Sequence, residues 1–195
     1  TNTSAITMAA GSSILTNGGD LTATAKTLGV TLAGINTGAG NLTVNANDGA
    51  ISQNSALTVG GTARFDAGSA SVNLGTSTNS IATLGSVTGR CGNFTLDNSN
   101  SALTVNGTLT IGPLSNDTID INTGNHALDL GTSSLSSTYF YTESSAISLA
   151  NSTLNVGTYW LKPASSAATV DLAGGAGPYV LTNGDLSKIK GINGK

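Results

Sequence analysis

The chain has 195 residues, a net charge of −3 and only 9% charged residues, while Gly, Ser, Thr and Asn make up half of it. That balance offers no global field to attract nucleic acid or an anionic membrane surface, and no apolar run approaches the roughly 18 residues of a membrane span. Branched apolar residues recur every few positions, so the chain is apolar enough to fold, which separates it from disordered sequences.

Lys, Arg, Glu, Gln and Met together number ten, too few to furnish the solvent faces of helices. Thr and Asn take over the polar role, as strand faces and turns require. The chain therefore reads as all-β, with no helix expected. From the N-terminus onward one unit dominates: apolar, polar, apolar, then a turn residue. It appears as Leu42-Thr43-Val44, Leu57-Thr58-Val59, Val72-Asn73-Leu74, Leu103-Thr104-Val105, Leu109-Thr110-Ile111, Ile119-Asp120-Ile121, Leu128-Asp129-Leu130 and Leu154-Asn155-Val156. Residues i and i+2 share one face of a strand, so each tripeptide turns two branched side chains inward and one polar group outward. Strands this short are not stable as isolated hairpins, but stacked on similar neighbours they build a continuous apolar column. A β-sandwich would need longer strands and more aromatic core.

Internal repetition points the same way. Ser55-Ala56-Leu57-Thr58-Val59-Gly60-Gly61-Thr62 returns as Ser101-Ala102-Leu103-Thr104-Val105-Asn106-Gly107-Thr108. Leu74-Gly75-Thr76-Ser77 returns as Leu130-Gly131-Thr132-Ser133, and Asn36-Thr37-Gly38 as Asn122-Thr123-Gly124. The offsets of 46, 56 and 86 share no clean divisor; coils of about 20 to 23 residues accommodate the first and third and fit the second poorly. The expectation is a right-handed parallel β-helix (β-solenoid) of roughly nine coils, a rod about 45 Å long. It would occupy residues 1–195 as a single segment of a longer chain, since the first residue is Thr and neither end shows an amphipathic helical cap.

Residues 1–138 form the regular part. Beyond them the chain changes character: Tyr139, Phe140, Tyr141, Tyr159, Trp160 and Tyr179 are six of its eight aromatics, and Pro163 and Pro178 two of its three prolines. Residues 139–195 are read as a less regular part of the same solenoid, because Ile147-Ser148-Leu149 and Val170-Asp171-Leu172 keep the strand pattern. Lys188, Lys190 and Lys195 make a weak basic tail, read as a solvated face.

Several stretches carry a family resemblance. Gly40-Asn41-Leu42-Thr43-Val44-Asn45-Ala46, Gly49-Ala50-Ile51-Ser52-Gln53 and Ala56-Leu57-Thr58-Val59-Gly60-Gly61-Thr62-Ala63-Arg64-Phe65 resemble the repeats of filamentous-haemagglutinin-type adhesins. Tyr179-Val180-Leu181-Thr182 followed by Asp185-Leu186-Ser187-Lys188-Ile189 is similar to a segment between repeat blocks of the same proteins. The resemblance implies a right-handed parallel β-helix exported by two-partner secretion, with a role in cell attachment and biofilm at the bacterial surface. No Asn-Pro occurs, so the stretch corresponds to repeat shaft rather than secretion domain. Two alternatives stay open: a self-assembling extracellular filament or matrix protein, and a polysaccharide-active β-helix enzyme.

Candidate chemistry is sparse. Glycoside hydrolysis needs a carboxylate pair with one raised pKa. The closest acidic set is Asp117, Asp120 and Asp129, of which Asp120 and Asp129 are expected to face solvent and stay ionised. His126 is the sole histidine, in a turn, and no nucleophile elbow accompanies it. Cys91, beside Arg90, is expected to be a small buried side chain; alone, it supports neither a disulfide nor a metal site. The sequence thus points to no enzyme, no catalytic residue, no metal and no cofactor. Thr-x-Thr pairs starting at Thr1, Thr22, Thr76 and Thr108 do not fall at ladder spacing, so ice binding is set aside.

One local feature stands out as a ligand or partner contact: Tyr139, Phe140 and Tyr141, with Tyr159 and Trp160. In a strand the consecutive run must turn at least one ring outward, where it offers stacking area to a glycan or protein. The bland reading is that these rings plug a widened coil or cap its end. Expected partners are a host or surface glycan or protein, and further copies of the chain through solenoid ends or edges, with no nucleic acid and no membrane insertion.

Overall fold

A computed structural model describes residues 4–112, 116–149, 151–172 and 179–189. Pro113, Pro178, Lys190 and Lys195 lie outside the described residues. The chain winds into a parallel β-solenoid of about seven turns with three faces. The first turn carries β1 (Ile6–Thr7), β2 (Ser13–Leu15) and β3 (Leu21–Thr24), one strand per face. The second repeats this with β4 (Val30–Leu32), β5 (Gly34–Asn36) and β6 (Leu42–Asn45).

In the third and fourth turns the corner between the second and third faces straightens. The third holds β7 (Ile51–Gln53) and the ten-residue β8 (Leu57–Asp66), the fourth β9 (Val72–Leu74) and the ten-residue β10 (Ser80–Gly89). Three strands return in the fifth: β11 (Phe94–Asp97), β12 (Leu103–Val105) and β13 (Thr108–Ile111). Next come β14 (Thr118–Asn122), β15 (Ala127–Asp129), β16 (Ser134–Ser144), β17 (Ala146–Ser148) and β18 (Thr153–Pro163). The last long strands, β16 and β18, run from the third face across to the first.

Register explains the core. On the first face Ile6, Val30, Ile51, Val72, Phe94, Ile119, Phe140 and Tyr159 stack in one inward column. On the third face Val44, Phe65, Val87, Leu109, Leu135 and Leu154 do the same. Of the eight tripeptides from Leu42 to Val156, all but Leu154-Asn155-Val156 bury both apolar members and leave the middle residue half-buried or exposed; in that one, on the last turn, Leu154 is itself only half-buried. Each fully buried branched side chain stabilises the stack by about 1.5–3 kcal/mol relative to an exposed one.

The coil number differs from the expected nine because the tail lies outside the stack; the turns themselves have the expected length. From the equivalent positions 6, 30, 51, 72, 94, 119, 140 and 159, successive turns take 24, 21, 21, 22, 25, 21 and 19 residues. The tail adds no further turn: β19 (Val170–Leu172) and β20 (Tyr179–Leu181) pair only with each other among the described residues. Seven turns make a stack about 34 Å long.

The uneven repeat offsets have a structural cause. Leu57 and Leu103 open the second-face strands of the third and fifth turns, so 46 residues span two turns. By contrast, Leu74 ends a first-face strand and Leu130 follows a second-face strand; Asn36 ends a second-face strand and Asn122 a first-face one. What recurs is a corner module that serves any face. In both Asn-Thr-Gly copies the Asn Oδ1 accepts from the Gly N–H, at 2.9 Å in Asn36–Gly38 and 2.8 Å in Asn122–Gly124. Both glycines take a positive φ, 57° and 53°, which a residue with a Cβ rarely adopts. The intervening Thr37 and Thr123 point inward and donate to the carbonyls of Gly40 and His126 at 2.8 and 2.9 Å.

A second corner, between the first and second faces, is buried and polar. Asn79 Oδ1 accepts from Leu57 N–H at 2.8 Å and from Gln53 Nε2 at 3.0 Å. Its Nδ2 donates to the carbonyls of Leu74 and Asp97 at 2.9 and 2.8 Å. One turn later Asn98 Oδ1 accepts from Ile81 N–H at 2.7 Å. These side chains satisfy backbone groups where the ladder bends away from its neighbours.

The C-terminal segment corrects two expectations. A four-residue helix, α1 (Asn183–Leu186), follows β20, with Thr182 and Asp185 forming a reciprocal capping box. Tyr179, Leu181 and Asp185 are buried, and Leu186 and Ile189 pack against the core, so this end of the stack is covered. In Val170-Asp171-Leu172 the alternation is inverted: Val170 and Leu172 are 46% and 61% exposed, and among the described residues β19 pairs with β20 alone.

Candidate functional site: an aromatic groove on the first face

The outward residues of the first face form a ladder of their own. Thr7, Thr31, Ser52, Asn73 and Thr95 are succeeded in register by Asp120, Tyr141 and Trp160. A small polar stripe thus ends in two large rings. Two positions along each strand a parallel ladder runs Asp97, Asn122, Glu143 and Lys162. Residues i and i+2 stand about 6.6 Å apart along a strand, so the two ladders wall a groove. It encloses about 380 Å³ and is lined by Asp120, Asn122, Tyr141, Thr142, Glu143, Trp160 and Lys162.

Strand alternation divides the five aromatics. Tyr139, Tyr141 and Trp160 stand on the outer side, and Trp160 is 64% exposed. Phe140 is fully buried on Ile119 and presents no contact surface. Tyr159 sits above Phe140, half-buried against the core, and burial pushes its phenol above the ordinary value. So the rings divide: Phe140 and Tyr159 belong to the column, while Tyr141 and Trp160 line the groove.

The outward rings are ordered by each other. Tyr139 and Tyr141 lie nearly parallel, 9° between planes and 5.9 Å between centroids. Tyr141 and Trp160 meet edge to face at 73° and 5.8 Å, a preferred aromatic geometry. Tyr139 occupies the side of Tyr141 away from Glu143, which leaves the opposite face of Tyr141 toward the groove.

On the polar wall Lys162 Nζ donates to Glu143 Oε2 at 2.6 Å. Asp120 has no hydrogen-bond donor among the described residues, and its carboxyl is held above the ordinary carboxylate range, chiefly by burial and then by the Glu143 charge. The expectation of a fully solvated Asp120 is therefore corrected: it points outward, but the rings of the next turns shield it.

The other sequence candidates do not assemble. Asp117 is buried just before β14, its backbone carbonyl accepting from Thr138 and Tyr139 N–H at 3.1 and 3.0 Å. Asp129 is exposed on the second face, and His126 is exposed in the corner between the first and second faces. Cys91 is exposed rather than buried: it sits in the Gly89–Gly92 turn, where side chains leave the columns. Among the described residues no group of three His, Cys, Asp or Glu side chains could hold a metal ion. Glu143 and Lys162 were not singled out from the sequence. The signal was present: aligning Tyr139–Glu143 with Thr158–Lys162 at an offset of 19 puts aromatic over aromatic and acid beside base.

Comparison with known families adds one match. Residues 18–88 are similar to the family described as repeats of unknown function (DUF5649). That stretch runs through the first four turns, and the groove lies outside it. No curated protein and no solved structure matches the chain. The matched repeats and the stacked parallel turns together make this a repeat-containing β-helix protein.

Proposed function

We propose that the solenoid is a non-enzymatic structural shaft of a secreted bacterial surface adhesin, acting outside the cell in attachment and biofilm. The observation that carries this reading is the unbroken inward column on the first face, from Ile6 through Tyr159. Such a column makes each turn depend on its neighbours and gives a stiff rod whose length scales with turn number. The likeness of Gly40–Phe65 to filamentous-haemagglutinin-type repeats supports the surface assignment. Immunogold labelling of intact producing cells with antibody against the purified chain tests it. Label is expected on the cell exterior; label confined to the interior would refute the shaft reading. The non-enzymatic part is tested separately: depolymerisation of acidic or neutral polysaccharides, abolished by Asp120→Asn, would contradict it.

A second reading is assembly into a filament, favoured by apolar side chains bare on the surface: Leu15 and Leu28 are each 63% exposed. A further copy of the chain would cover them. Negative-stain microscopy separates the readings: discrete short rods for a shaft, long fibres for self-assembly.

A further inference from the structure

We infer that the groove walled by Tyr141 and Trp160 on one side and Glu143 and Lys162 on the other binds a non-acidic pyranose glycan. Its shape selects the ligand class first. A volume of about 380 Å³ lies near the low end of small-ligand sites, the scale of one or two sugar units. A stable protein partner would need about 800 Å² of complementary surface on this side, whereas this surface offers one groove and a single largely exposed ring, Trp160.

Chemistry narrows the class further. A pyranose has an apolar face of C–H groups and an equatorial rim of hydroxyls, so it needs an aromatic plane flanked by hydrogen-bonding groups. Here Tyr141 is braced from behind by the parallel Tyr139, and Trp160 meets it edge to face, so both rings are held before any ligand arrives. Preorganised rings lose little freedom on binding. About 6.6 Å away stand Asn122, Glu143 and Lys162, which supply amide, carboxylate and ammonium groups to hydroxyls. Asp120, lying in register below Tyr141 with no donor of its own, gains one from a sugar hydroxyl.

Charge decides against acidic sugars. Asp120, Glu143 and Lys162 give the groove a net charge of −1, so uronate, sialate or sulfate groups would meet repulsion from the carboxylates. The glycan site stands whether or not the solenoid serves as an adhesin shaft.

The test is a glycan array of neutral, amino and acidic pyranosides probed with the full chain, followed by titration of each hit while monitoring tryptophan fluorescence. Trp160 is the sole tryptophan, so any saturable emission change reports on this groove. Neutral or amino glycans are expected to bind, with affinity falling about tenfold in Tyr141→Ala and in Asp120→Ala. Circular dichroism confirms that both variants keep the fold, and Thr104→Ala, on the second face, should bind as the parent does. Binding only to acidic glycans, no binding across the array, or affinity unchanged in both groove variants would each overturn the assignment.

Discussion

The Asp185 carboxylate accepts the Leu149 backbone N–H at 2.5 Å, although the two residues are 36 positions apart. Leu149 follows β17 on the second face, and among the described residues no later turn of the solenoid covers it. Asp185 therefore supplies the acceptor that a further strand would have offered. The same carboxylate accepts from Thr182 N–H and Oγ1 at 2.9 and 2.7 Å, tying the N-terminus of α1 to the stack. Asp185→Ala should cost about 1–3 kcal/mol locally, by leaving the Leu149 N–H without a partner and removing the cap. Hydrogen exchange at the Leu149 amide is expected to accelerate, while the Val87 amide in the middle of the stack keeps its protection.

Val105 is fully buried, its register partner being Leu84 on the preceding turn. Val105→Asp places a carboxylate with no cation in an apolar column, and a loss of several kcal/mol is expected. Thr58→Asp, on an outward position of the same face, should change stability by no more than about 0.5 kcal/mol. Urea unfolding of the two variants distinguishes them. Equal midpoints would show that Val105 does not face the interior.

The strands were legible because period-two alternation survives even in tripeptides: Leu103-Thr104-Val105 and Ile119-Asp120-Ile121 state their inward faces directly. Turn number was not legible, since a corner can be a tight Asn-Thr-Gly or, as in β8 through Gly60-Gly61, no corner at all. Buried polar residues were also hidden. Gln53 and Asn79 look like turn residues, and only the bend of the backbone decides that they face inward. The groove was half visible. Five aromatics drew notice, but which rings turn outward, and that Glu143 and Lys162 stand beside them, depends on the register between β16 and β18.

Asn79 is fully buried and serves as both acceptor and donor at its corner, so no side chain of the same shape fills both roles. Asn79→Asp keeps the shape and the acceptor but removes the donor to the Leu74 and Asp97 carbonyls and buries a negative charge against them. Asn79→Ala takes the acceptor from the Leu57 N–H and the donor from Gln53 Oε1. Each is expected to cost about 2–4 kcal/mol by the usual penalty for buried unsatisfied groups. The aspartate variant should recover stability as pH falls and its carboxyl protonates, whereas the alanine variant should not. Chemical unfolding at acidic and neutral pH separates them.

Asp120 gives the opposite pH response from an ordinary ion-paired carboxylate. Burial under the rings and the Glu143 charge raise its carboxyl above the ordinary range in the folded chain. The folded state therefore holds the proton more tightly than the unfolded state does. This contribution favours folding fully at pH below the unfolded carboxylate range and is lost as pH rises through the elevated folded value. Glu143 works in the same direction through repulsion, while its pairing with Lys162 limits the effect. Asp120→Asn removes the charge and keeps the shape, so it should raise the melting temperature at neutral pH. The gain should vanish at pH values low enough to protonate Asp120 in both states. Thermal melts of parent and variant between acidic and neutral pH test this, and a gain that persists undiminished into acid would show that Asp120 ionises as freely in the fold as in the open chain.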